Sequence, residues 1–207
     1  MALAKDNPPQ RPPGKSVGRA RSRRRTWLGA LASALTLWLA PSSWSVGDPA
    51  SLEYKVKAGY LFNFAKFIEW PDSTPTSADN PFIIGVLDAG EALPTMMSLL
   101  QGKRINGRNV VVKAVAVDTV GKDLHILFIT SKSKKNPEDL KAALAGTNTL
   151  LVGETDQFAE RGGMLGFVKE DETIRLTLNL ERAAEAGLKV SSKLSNVAKV
   201  VKSLRAN

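Results

Sequence analysis

Two short apolar runs constrain the fold of this chain more than anything else in it. PFIIGVLD (81–88) and LHILFIT (124–130) are almost free of polar residues, and the first is bounded on both sides by turn formers. Such a run reads as a strand buried on both faces, whereas a strand with one wet face would alternate. Strands of that kind need a layer above and a layer below, so they belong to the middle of an α/β sheet.

The flanking sequence supplies the layers. SLEYKVKAGYLFNFAKFIE (51–69) spaces Leu52, Val56, Tyr60, Phe64 and Phe67 or Ile68 as a helical stripe, with Ser51 as N-cap and Glu53–Lys57 as an i,i+4 pair. After Lys57 this helix is apolar around most of its circumference, which implies burial on more than one side. Trp70-Pro71 ends it, and a polar loop, DSTPTSADNP, follows. A helix is expected over 91–101, and a short strand with an Asn106-Gly107 turn over 102–108. Further strands are expected at 109–117 and 149–155. Asn136-Pro137-Glu138 opens a helix to about Ala145. MLGFVKE pairs with TIRLTLNL (173–180) as a hairpin through the acidic turn Glu170-Asp171-Glu172. Leu180 to Ala186 reads as a short helix closed by Gly187. Residues 191–205 read as a final amphipathic helix with the stripe Leu194, Val197, Val200, Val201 and Leu204. The expected architecture is a single three-layer α/β sandwich with a mixed sheet over residues 51–205, preceded by a signal peptide.

That leader occupies residues 1–47. Eight of the 29 Lys and Arg residues and one of the 20 acids precede Trp27, so the net charge of +9 divides into +7 before that residue and +2 after it. A basic stretch, then an uncharged apolar run at 27–40, then small residues is the layout of a secretory signal, with cleavage expected between 42 and 50. The run is shorter than the ~20 residues a spanning helix needs. An uncleaved anchor is the other reading, and under either the remainder faces the far side of the inner membrane. The nearly neutral remainder lacks the field that draws in nucleic acid.

Chemistry is sparsely represented. The chain has one histidine and no cysteine. That excludes thiolate catalysis, disulfides, cysteine zinc sites and metal sites built on several histidines. His125, inside an apolar strand, reads as a core or edge residue satisfied by a backbone partner. Glu170-Asp171-Glu172 reads as a solvated turn, and Gly162-Gly163 and Val152-Gly153-Glu154-Thr155 as turns lacking the spacing of a phosphate loop. Lys132, Lys134 and Lys135 form a basic loop at a strand's C-terminal end, where α/β folds often bind ligands. No catalytic, cofactor-binding or metal-binding residue is expected, and no enzyme activity.

Tyr54-Lys55-Val56-Lys57-Ala58-Gly59-Tyr60-Leu61-Phe62-Asn63-Phe64-Ala65-Lys66-Phe67-Ile68-Glu69-Trp70-Pro71, with Phe82-Ile83-Ile84-Gly85-Val86-Leu87, Lys103-Arg104-Ile105, His125-Ile126-Leu127-Phe128-Ile129, Leu151-Val152-Gly153-Glu154-Thr155, Phe158-Ala159, Gly162-Gly163, Asn179-Leu180 and Gly187 to Leu194, resembles the YfiR-like family of periplasmic proteins. The similarity runs from about residue 52 to 203. It implies a periplasmic α/β sandwich that tends to form homodimers. It also implies repression of an inner-membrane diguanylate cyclase through that enzyme's periplasmic domain, lowering cyclic di-GMP and with it biofilm formation. An outer-membrane peptidoglycan-associated lipoprotein is implied as the partner that withdraws the repressor. Any disulfide of the family has no counterpart here.

The expected contact surface is the first helix and its exit, with Tyr60, Asn63, Lys66, Glu69 and above all Trp70, since tryptophan is enriched at binding hot spots. Arg104 and Arg108, flanking an exposed turn, come second. A different class of function, a periplasmic small-molecule receptor or transport accessory, would place a pocket at the strand C-terminal ends near Asp88, Thr130-Ser131 and Glu154-Thr155.

Overall fold

The two apolar runs lie side by side at the centre of the sheet. The computed structural model describes residues 49–71, 80–121, 123–171 and 173–204. The leader at 1–47 and most of the polar loop after Pro71 lie outside the described residues.

The elements in chain order are α1 (Pro49–Phe67), β1 (Ile68–Glu69), β2 (Phe82–Leu87), α2 (Ala92–Leu100), β3 (Arg104–Ile105), β4 (Arg108–Val115), β5 (Ile126–Ile129), β6 (Leu150–Gly153), β7 (Leu165–Glu170), β8 (Thr173–Asn179), α3 (Leu180–Glu185), β9 (Lys189–Val190), α4 (Ser192–Val197) and β10 (Lys199–Val201). Eight strands form one mixed sheet in the order β10-β8-β7-β6-β5-β2-β4-β3, and β1 pairs with β9 as a separate ribbon. β4, β2, β5, β6 and β7 run parallel, in register Val86↔Ala114, Val86↔Phe128, Phe128↔Val152 and Val152↔Leu165. The β7–β8 hairpin and the β3–β4 hairpin are antiparallel.

Every residue of β5 and β6 is buried, as the sequence expects for strands covered on both sides. Phe128 and Phe167 meet with ring centroids 6.0 Å apart, and Phe167 stacks in turn on Phe64 of α1, so α1 covers that face. Phe158, on the turns after β6, covers the other. A Cβ at Gly153 would lie 2.2 Å from its ring and one at Gly163 would lie 2.3 Å from it, so both glycines exist to seat one aromatic side chain. Their role is close approach, not a ligand loop.

Three expectations are corrected. The final helix does not run from 191 to 205. It stops at Val197, and Lys199–Val201 joins the sheet parallel to β8, with Val200 opposite Leu178. The β-branched Val200-Val201 pair suits an extended edge strand. The proposed stripe is therefore split, with Leu194 buried but Val197, Val200 and Leu204 exposed. The helix expected over 136–145 is a 3-10 turn at Pro137–Leu140 followed by further turns, because Leu140 is the only residue of 138–145 it can bury. In α1 the helical period holds but the phase is rotated. Tyr54, Lys57, Ala58, Leu61, Phe64 and Ala65 face inward, while Leu52 and Val56 are left 52% and 50% exposed.

Gly153→Ala should lower the unfolding free energy by about 1–3 kcal/mol through overpacking against Phe158. The urea midpoint measures it, and an unchanged midpoint contradicts the packing described.

Candidate functional site

The rotated phase of α1 has an electrostatic cause. Lys57 is 4% exposed and lies on the helix face that meets the sheet. Its ammonium hydrogen-bonds to Glu53 one turn back and to Glu154, the residue that follows β6. The Glu154 side chain is itself only 3% exposed. Its Oε2 takes the lysine, and its Oε1 accepts the Tyr54 hydroxyl at 3.1 Å and the Ser131 N–H at 2.6 Å. The ammonium also sits 5.2 Å from the Tyr54 ring centroid and 5.9 Å from that of Phe167, within cation–π range. Burial, and then the neighbouring Glu154 carboxylate, push the Tyr54 hydroxyl well above the usual phenol range. The Lys57 hydrogen bond holds the Glu53 carboxyl below its ordinary value, against the opposing effect of partial burial.

This ion pair occupies the strand C-terminal ends where a small-molecule pocket would be expected. The groups there are turned on one another. The Thr130 hydroxyl donates to the Asp88 carbonyl at 2.7 Å, Lys132 reaches Glu91 at 3.4 Å, and Glu154 faces inward. Such a network holds a helix against a sheet, while Lys134 and Lys135 of the basic loop after β5 stay exposed.

The opposite, N-terminal end of the strands carries a second constellation. Arg108 opens β4 and is 5% exposed, which corrects the expectation of an exposed arginine beside the Asn106-Gly107 turn. Its Nε–H donates to the Asn80 carbonyl at 2.8 Å, and Nη2 donates to the Pro81 carbonyl at 2.8 Å and approaches His125 Nε2 at 2.7 Å. The Ile83 N–H points at His125 Nδ1 from 3.2 Å. A neutral imidazole can accept at only one nitrogen at a time, and the guanidinium contact is the shorter. His125 is thus a core residue with a backbone neighbour, as expected, and with an arginine partner that the sequence does not announce. Phe82 lies 4.5 Å from the His125 ring and 5.7 Å from the guanidinium carbon, and Trp70 packs edge-on to Phe82 at 5.3 Å. Burial pulls the Arg108 pKa down from its ordinary value.

Of the seven residues expected to make contacts, four come together. Lys66, Glu69, Trp70 and Arg108 line one cleft of about 290 Å³ with Ile68, Phe82, Ile105 and Asn106. Lys66 is exposed, with its ammonium 4.3 Å from the Phe62 ring centroid. Asn63 is exposed on α1, and Arg104 is exposed on β3. Tyr60 stands apart, half-buried against Phe64 and Phe167, beside Leu52 and Val56. Lys57 and Glu154 are missing from that expectation. The Glu53–Lys57 pair expected from the spacing is present, and Glu154 is a second partner of the lysine that the spacing does not announce.

Among the described residues no group of three or more His, Cys, Asp or Glu side chains is placed to hold a metal, and no helix is long and apolar enough to cross a membrane. A family model described as YfiR/HmsC-like matches residues 54–199, well over half of the chain, and the protein belongs to that family. A search of curated proteins finds no match.

Lys57→Met should cost about 3–5 kcal/mol because it strands the Glu154 carboxylate, and Lys57→Met combined with Glu154→Gln should recover a large part of that. Urea denaturation of the single and double variants checks this, and simple additivity contradicts it. The lowered Glu53 carboxyl fixes a pH dependence as well. Folding favours its ionised form, so its contribution is present above the unfolded value of about 4.3 and is lost as pH falls through the lower folded value. The acid limb of the stability profile should therefore be shallower in Glu53→Gln.

Proposed function

We propose that this member of the YfiR/HmsC-like family is an exported periplasmic binding protein that represses an inner-membrane diguanylate cyclase. It contacts the cyclase's periplasmic domain and so lowers cyclic di-GMP. The family membership, the basic-then-apolar leader and the scarcity of catalytic residue types support this reading.

The single observation that carries it is the solvent face of α1. Leu52 and Val56, one turn apart, present half of their area to water. They bound a groove of about 420 Å³ with Pro49, Tyr60, Thr173 and Ile174, edged by Glu53 and Lys169, whose charged groups lie 3.4 Å apart. Large apolar side chains clustered at a charged rim are the composition of a protein contact surface. Asn63 and Lys66 extend the same exposed face toward the end of the helix. The partner is a folded domain, because a ridge along a helix with a hairpin beside it is a broad surface, not an enclosed pocket. The peptidoglycan-associated lipoprotein implied by the resemblance would compete for the repressor.

Cellular cyclic di-GMP, measured with and without the gene, tests the proposal. A rise on deletion, reversed by supplying the gene in trans, is expected. An unchanged level in a strain that expresses the protein contradicts it.

A further inference from the structure

We propose that the exposed face of α1 receives an α-helix of the partner domain, one that crosses at Gly59 and carries carboxylates along its flanks. This names the contacting element of the surface proposed above and rests on that reading.

The inference starts from a glycine that the fold does not use. Gly59 lies in the middle of α1 and is exposed. Glycine weakens a helix interior through its backbone freedom, and it is useful where φ is positive or where something comes close to the backbone. Gly59 is not among the glycines at positive φ, and a Cβ added there would meet nothing within 4 Å among the described residues. Gly153 and Gly163 are the contrast, since Phe158 fills the space over both. At Gly59 the room for close approach faces outward.

The side chains around it give an independent sign. At 3.6 residues per turn, Leu52, Val56, Gly59 and Asn63 fall on one face of α1. Leu52 and Val56 are 52% and 50% exposed. With Tyr60 they form an apolar i,i+4 ridge, and Gly59 interrupts the neighbouring row of Lys55, Gly59 and Asn63. A notch beside an apolar ridge is the shape that a ridge of a second helix fills. Strand addition is not available beside it, because β7 lies between β6 and β8 in the sheet, and β8 between β7 and β10.

Charge selects the occupant. Lys55 is exposed on one side of the apolar ridge. Lys169 lines the groove on the other side and is 59% exposed, 3.4 Å from a Glu53 carboxylate that Lys57 also holds. The Glu170 carboxylate next to it in sequence is turned to Arg175 at 3.4 Å. Lysines on both flanks call for carboxylates on the incoming helix. A second copy of this chain would bring the same lysines to the seam, so the face suits a different, acidic partner.

The chain has no cysteine, so one introduced thiol reports the geometry. Purified Asn63→Cys is mixed with the periplasmic domain of the diguanylate cyclase proposed as partner, in which a single cysteine is walked along the contacting segment. Disulfides need Cα atoms within about 7 Å, so yields should peak at every third or fourth position. Peaks at every second position, or no periodicity, overturn the helix. Gly59→Ala should raise the melting temperature by about 2–4 °C, because alanine is the better helix former, yet weaken the complex. Gly59→Leu, which fills the notch, should weaken it about tenfold or more, the scale of an overpacked contact. Lys55→Glu should slow association and flatten its salt dependence. Unchanged affinity in both Gly59 variants overturns the close approach, and an unchanged rate in Lys55→Glu overturns the acidic partner. A sedimentation shift from dimer to monomer in Gly59→Leu, with repression intact in cells, assigns the face to a second copy and overturns the proposal. If wild type forms no complex at all, the repressor reading itself fails, a result distinct from a complex that tolerates Gly59→Leu.

Discussion

The buried contact between Lys57 and Glu154 fixes how the first helix sits on the sheet, and most of what is distinctive about the surface follows from it. The helix is apolar on several sides, so the hydrophobic effect alone permits more than one rotation about its axis. A lysine that must reach a carboxylate at the end of β6, with Tyr54 and the Ser131 N–H completing that carboxylate's partners, selects one. The alternative, with Leu52 and Val56 inward, would turn the ammonium away from Glu154 and leave a buried carboxylate unpaired, a cost of several kcal/mol. The pair therefore contributes orientation more than net stability.

The two ends of the parallel strands are used differently. At the C-terminal end Lys57 and Glu154 neutralise one another, and the helix is locked. At the N-terminal end a buried arginine is held by carbonyl groups and a histidine, with tryptophan and phenylalanine packed around it. The exposed ridge of α1 begins near the first end and reaches the cleft at the second through Asn63 and Lys66. A macromolecular contact along the ridge would lie against the rim of the cleft.

The core strands are legible in the sequence because complete burial leaves an unmistakable run of apolar residues, as in Phe82–Leu87 and Ile126–Ile129. The Asn106-Gly107 turn is equally plain, with both residues at positive φ. The phase of α1 is not legible. A buried lysine looks like a surface residue until its partner, about a hundred positions away, is brought against it. The tail misleads for a related reason: Leu194, Val197, Val200, Val201 and Leu204 fit a helical stripe, yet the free edge of β8 captures Lys199–Val201 as a strand. Propensity is a local quantity, and an unpaired sheet edge is not. For the cleft, the aromatic exit of the helix drew attention to Trp70, whereas the burial of Arg108 depended on carbonyl groups that no spacing rule encodes.

The measurement that bears most directly on this account is the affinity of the purified protein for the periplasmic domain of the membrane diguanylate cyclase proposed as its partner, compared between wild type and Leu52→Glu/Val56→Glu. Both positions face water, so the substitutions leave the core intact. The account predicts a stable complex for wild type and a loss of about a hundredfold or more for the variant, as expected when a contact's apolar centre is charged. Equal affinity for the two proteins would contradict the proposal that the exposed face of α1 is the contact surface.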